Sequence, residues 1–110
     1  MRPFQEIINE IVKFRDDRNW EQFHNSKDLA LAISIEASEL NELFLWKGSE
    51  EEVPIDKLKE ELADIFTYSL LLIHKHNLDI SEIISEKLRV NALKYPIDKA
   101  KGTAKKYNEL

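Results

Sequence analysis

Only two glycines, Gly48 and Gly102, and three prolines, Pro3, Pro54 and Pro96, interrupt this chain of 110 residues. Long stretches without breakers, with apolar residues recurring every three or four positions, form amphipathic helices rather than strands. Four helices are predicted. The first runs from about Phe4 to Asp16, with Phe4, Ile7, Ile8, Ile11 and Val12 on one face. The second starts after Asn25 or Ser26, either of which can cap it, and runs to about Trp46, where Lys47-Gly48-Ser49 stops it. The third spans about Asp56 to His76. Asp79-Ile-Ser-Glu82 reads as an acidic capping box opening a fourth, which ends before Tyr95-Pro96. The expected fold is an all-α bundle over residues 1–96, followed by a basic tail, 97–110, that has no strong helical period.

The formal net charge is −5 and the positive residues are dispersed until the tail, which argues against a nucleic acid polymer as the main ligand. A small phosphorylated ligand stays open, because a bound cation inverts the local charge. There is no cysteine, so thiolate ligands and cysteine nucleophiles are excluded. The N-terminal segment has no signal-peptide pattern, and the most apolar run, Tyr68 to Ile73, is too short for a bilayer. The expectation is a soluble cytoplasmic protein with no membrane partner.

Carboxylates normally stay off the apolar stripe of a helix, so breaches of that rule are informative. At about 100° per residue, Glu36 falls between Ala32 and Leu43 on one side and Ile33 and Leu40 on the other. Glu39 falls beside Ala32, Ile35 and Leu43, whereas Glu42 lies nearer the polar side. The third helix repeats the pattern: Glu61 is flanked by Ile65, Tyr68 and Leu72, and Asp64 by Tyr68 and Leu71. Spacing of i, i+3 sets each pair about one turn apart on one face. Acids placed this way tend to take up protons unless cations lie between them. An all-oxygen cluster suits magnesium, or manganese, better than zinc or copper. Magnesium commonly shares its shell with phosphates, which points to phosphate chemistry. The alternatives are a solvated acidic face, or ion pairs across an interface between subunits.

On the fourth helix Lys87, Asn91 and Tyr95 follow at i, i+4 and i+8 among Ile80, Ile83, Ile84 and Leu88. They could reach anionic oxygens held by the metal; a snorkelling lysine with a helix-end amide fits the spacing equally well.

Glu36-x-x-Glu39 followed by Glu61-x-x-Asp64 resembles the metal-binding signature of the all-α nucleotide pyrophosphohydrolases, the MazG-like superfamily. Several segments are similar to the dCTP pyrophosphatase branch. They are Arg18-Asn-Trp20-Glu-Gln-Phe-His24, the run from Leu29 to Leu40, Leu43-Phe-Leu-Trp46, Lys87-x-x-x-Asn91-x-x-Lys-Tyr95-Pro96 and Lys101-Gly-Thr-Ala-Lys-Lys-Tyr107. The resemblance covers nearly the whole chain in register. It implies a magnesium-dependent enzyme that cuts a nucleoside triphosphate to the monophosphate and pyrophosphate. It also implies a homodimer or dimer of dimers whose helices complete a shared core.

Carried over residue by residue, Glu36, Glu39, Glu61 and Asp64 are the metal ligands, with Glu36 or Glu39 accepting the proton of the attacking water. Lys87, Asn91 and Tyr95 correspond to residues that hold the triphosphate. Trp20, Trp46 and Tyr68 correspond to an aromatic pocket for the base, with His24 among the substrate-binding residues. The branch also uses a histidine on the first helix in that pocket, where this chain has Ile11, so the resemblance carries the metal chemistry further than the cytosine preference. Rival readings keep the fold with dUTP, a damaged nucleotide or phosphoribosyl-ATP as substrate, or make the chain a non-enzymatic dimerisation module. A di-iron carboxylate bundle needs Glu-x-x-His on two helices. The chain has one such string, Glu21-Gln-Phe-His24, in a predicted link.

Overall fold

A computed structural model describes residues 1–110 and contains helices and turns but no strand. The helices are α1 (Phe4–Asp17), α2 (Ser26–Glu42), α3 (Ile55–Lys75), α4 (Ile80–Lys94) and a short α5 (Ile97–Ala100), with 3-10 turns at Glu21–Phe23 and Tyr107–Glu109. Each proline stands at the N-cap position of a helix, Pro3 at α1, Pro54 at α3 and Pro96 at α5. There its missing N–H costs no intrahelical bond. Asn25 caps α2 by accepting from the Asp28 N–H at 2.8 Å, and Asp79 caps α4 by accepting from the Glu82 N–H at 3.0 Å.

Two departures from the sequence reading stand out. α2 stops at Glu42, and the chain turns through residues 43–46 instead of continuing as helix to Trp46. Trp46 itself has a φ of 65°, a left-handed conformation that a bulky residue rarely adopts. The tail, which shows no strong helical period in sequence, contains the short α5, because Pro96 fixes a helical start and the Ala100 N–H donates to the Pro96 carbonyl at 2.8 Å.

The chain divides into two compact units, Met1–Asn77 and Leu78–Leu110. In the first, α2 packs along α3 and α1 contacts α3 more sparingly. Its core is small, with Ile8, Leu29, Leu70 and Leu71 the only buried apolar side chains. In the second, the C-terminal turn folds onto the end of α4: Tyr95 and Tyr107 meet edge to face with ring centroids 6.2 Å apart, and Lys94 lies 5.0 Å from the Tyr107 ring. No helix is long and apolar enough to cross a membrane.

Candidate active site

Packing of α2 along α3 brings the two carboxylate pairs together. One carboxylate oxygen each from Glu36, Glu39 and Glu61 lies within 4.8 Å of the others. Asp64 is close enough for its charge to act on both Glu36 and Glu61. None of the four forms an ion pair with lysine, arginine or histidine. Glu36 and Glu61 are half-buried, and each has an Oε2 that is shut off from solvent without a hydrogen-bond partner.

Burial above all, then a carboxyl–carboxyl hydrogen bond to Glu39 and the negative charges of Glu39, Asp64 and Glu61, push Glu36 up to about 7. Glu61 is also raised, by desolvation first and then by Glu39, Asp64 and Glu60. Buried polar atoms without partners are rare in folded proteins. Oxygens from several acids converging with no cationic side chain nearby are the donor set that a hard divalent cation satisfies.

Beside the cluster lies a cavity of about 140 Å³ to which Asp64 contributes one wall. Trp20, His24 and Tyr68 line it together with the apolar Ile11, Phe14 and Leu71, and Thr67 and Arg15 add polar groups. The loop between α1 and α2 sets this geometry. After α1, Asn19 takes a φ of 55° and the Trp20 N–H donates back to the Arg15 carbonyl at 3.1 Å. Phe14 then meets Trp20 edge to face at 5.9 Å, while the Arg18 guanidinium sits 3.6 Å over the Phe14 ring. His24 meets Tyr68 edge to face at 6.4 Å. Burial and then the charge of Arg15 lower the His24 pKa, favouring the neutral imidazole, and its Nδ1 is buried without a partner.

The structure thus joins Glu36, Glu39, Glu61 and Asp64, and joins Trp20, His24 and Tyr68 next to them. Trp46 lies outside that cavity, 94% exposed on the turn after α2. Lys87, Asn91 and Tyr95 lie on α4 and its C-cap, in the Leu78–Leu110 unit.

Sequence reasoning missed Arg15. It is the only buried charged residue, 9% exposed, and it lines the cavity. The rule that exposed the acids marks the position, because Arg15 follows Ile8 and Ile11 at i+7 and i+4 on the apolar face of α1. It does not by itself distinguish a buried arginine from a snorkelling one.

The fold and site define an all-α protein whose helix pair carries a four-carboxylate cluster beside an aromatic cavity. The MazG-like family profile matches residues 31–110, and the chain belongs to the MazG-like family. It is 37% identical to dCTP pyrophosphatase 1 of Bos taurus over 106 residues, 90% of this chain and 63% of that protein. Against the Homo sapiens dCTP pyrophosphatase 1 it is 35% identical, covering 62% of that protein. The chain therefore spans less than two thirds of these relatives' own length. A pyrophosphatase from Archaeoglobus fulgidus superposes with a TM-score of 0.82 at 33% identity, covering 87% of this chain and 94% of that one.

Proposed function

We propose that this chain is a magnesium-dependent nucleoside triphosphate pyrophosphohydrolase that releases pyrophosphate and a nucleoside monophosphate, with dCTP or a modified pyrimidine counterpart as substrate. The observation that carries this reading is the pair of buried, unpartnered oxygens on Glu36 and Glu61 inside a cluster with no cationic side chain. The names of the relatives and of the solved structure, dCTP pyrophosphatase and pyrophosphatase, support the same chemistry.

Glu36, Glu39, Glu61 and Asp64 would hold the cation, for which magnesium is the natural occupant and manganese the nearest substitute. When bound, the metal neutralises phosphate oxygens and makes a coordinated water more acidic. Glu36 or Glu39 accepts the proton of the attacking water. Trp20 and Tyr68 take the base between aromatic surfaces, with His24 at its edge. Trp46 is assigned to the same base, and its strained backbone and full exposure fit a residue held out for a ligand. Lys87, Asn91 and Tyr95 present ammonium, amide and phenol donors to the triphosphate. In this reading residues 1–96 are the hydrolase domain and 97–110 a basic appendage. Two copies, or two pairs, share a core.

Pyrophosphate release measured with magnesium over a panel of canonical and modified nucleoside triphosphates tests the reading. Release from a pyrimidine triphosphate, lost with EDTA, is expected. No release from any of them by a folded protein would overturn it and favour a non-enzymatic helical module.

The raised Glu36 pKa adds a prediction. A carboxyl whose folded-state pKa lies above its unfolded value favours the fold while protonated, so this contribution is full below the ordinary glutamate range and is lost as pH rises to about 7. Magnesium must displace that proton and therefore binds more weakly in acid. The rise in Tm on adding magnesium is expected to be larger at pH 8 than at pH 5.5. Equal shifts at the two pH values would show that the metal does not meet Glu36.

A further inference from the structure

The nucleobase cavity contains one permanent cation. Arg15 lines it, and its guanidinium is held by two acids: Nε donates to Asp16 Oδ1 at 2.9 Å, Nη2 lies 2.8 Å from the same oxygen and 3.6 Å from Glu21 Oε2. Its own carbonyl accepts from the N–H groups of Arg18 and Trp20. Arg15 is thus tied at its guanidinium by Asp16 of α1 and Glu21, and at its carbonyl by the loop that also positions Trp20. Ile11, Phe14 and Leu71 offer no hydrogen bond and the Thr67 hydroxyl is already donated to the Ala63 carbonyl at 2.7 Å, so the other polar groups of the lining are Trp20, His24, Asp64 and Tyr68.

We infer that Arg15 is the specificity-determining residue of this cavity, selecting a base that presents adjacent acceptors, cytosine through N3 and O2, and rejecting uracil and thymine. The inference rests on the proposed triphosphate hydrolysis and deepens it. A guanidinium has five donors, no acceptor and no accessible neutral form. Cytosine N3 carries a lone pair and O2 is a carbonyl, so both accept from one planar fork. Uracil and thymine carry N–H at position 3, which would face the guanidinium donors and lose that hydrogen bond. Stacking on Trp20 and Tyr68 tolerates any base, so discrimination has to come from such an edge contact. Arg15 therefore supplies a filter for cytosine over uracil and thymine that needs no histidine at position 11.

The test compares kcat/KM for dCTP, dUTP, dTTP and dGTP in the wild-type protein, in Arg15→Met and in Arg15→Lys. The wild type is expected to prefer dCTP over dUTP. Arg15→Met is expected to lower the dCTP value by roughly 10-fold to 100-fold with much less effect on dUTP, so that the ratio collapses. Arg15→Lys, a point charge without the fork, falls between. A purely structural arginine would scale all four substrates alike, and unchanged ratios overturn the inference. Preference of the wild type for dUTP, dTTP or dGTP overturns it as well. Should the methionine variant not fold, 3-deaza-dCTP tests the same contact on the intact protein. Loss of its N3 acceptor is expected to lower kcat/KM comparably, and equal turnover with dCTP overturns the inference. Failure of the wild type to hydrolyse any nucleotide would instead refute the proposed function itself.

Discussion

Replacing Glu36 with glutamine is expected to raise the Tm of the metal-free protein and, in the same variant, to remove magnesium binding and most of the activity. Both effects have one physical origin. Glu36 is crowded by Glu39, Glu61 and Asp64, and its burial together with their charges raises its pKa. A neutral amide of the same size relieves that repulsion, so the metal-free fold gains stability. The same change withdraws an anionic oxygen from a hard cation. Since disturbing residues that merely orient metal ligands already costs 10-fold to 100-fold in affinity or activity, loss of a ligand is expected to cost at least about 100-fold in kcat/KM. Thermal melts in EDTA, magnesium titration calorimetry and pyrophosphate release read the three quantities separately. An acid used only for a structural ion pair would behave oppositely, with a lower Tm and intact turnover. That outcome would remove the metal reading.

The same crowding explains why this part of the site is legible in sequence. Helical period alone places Glu36 and Glu39 among Ala32, Ile33, Leu40 and Leu43, and Glu61 and Asp64 among Ile65, Tyr68 and Leu71. Polar residues breaching an apolar stripe need no tertiary information to be seen. Meeting of the two pairs does need it, and packing of α2 along α3 supplies it. Arg15 breaches a stripe in the same way, but a long cation can snorkel, so its burial becomes plain only once Asp16 and Glu21 are seen to hold the guanidinium.

Local chemistry that competes with periodicity is harder to read. Leu43-Phe-Leu-Trp46 continues the apolar period of α2, yet the helix ends at Glu42 and Trp46 turns left-handed before Lys47-Gly48. In the tail, a four-residue helix has too few positions to display a period, and Pro96 is its only sequence signal. The aromatic cavity draws on α1, the loop after it and α3, three segments whose convergence no spacing rule encodes.

Charging the exposed face of α3 is expected to break the assembly. Ile55, Leu62 and Phe66 follow at i, i+7 and i+11, a single stripe, and are 60%, 39% and 55% exposed in one chain. On α2, Leu31 and Ile35 are also at least half exposed. A chain of this length that buries only four apolar side chains has little internal stabilisation, and a second copy offers the missing burial. Burying one phenylalanine contributes about 1.5–3 kcal/mol. In a two-fold symmetric dimer each substitution acts twice, so Phe66→Asp is expected to weaken association by at least about 3–6 kcal/mol, roughly 100-fold to 20,000-fold in Kd. Sedimentation equilibrium should show the wild type as a dimer or tetramer and the variant as a monomer at the same concentration. The wild-type Tm should rise with protein concentration, because association stabilises by mass action, and that dependence should vanish in the variant. The carboxylate cluster forms within one chain, so monomeric Phe66→Asp should keep some magnesium affinity while losing Tm. A wild type that sediments as a monomer with a concentration-independent Tm would end the case for a shared core and leave the metal site standing.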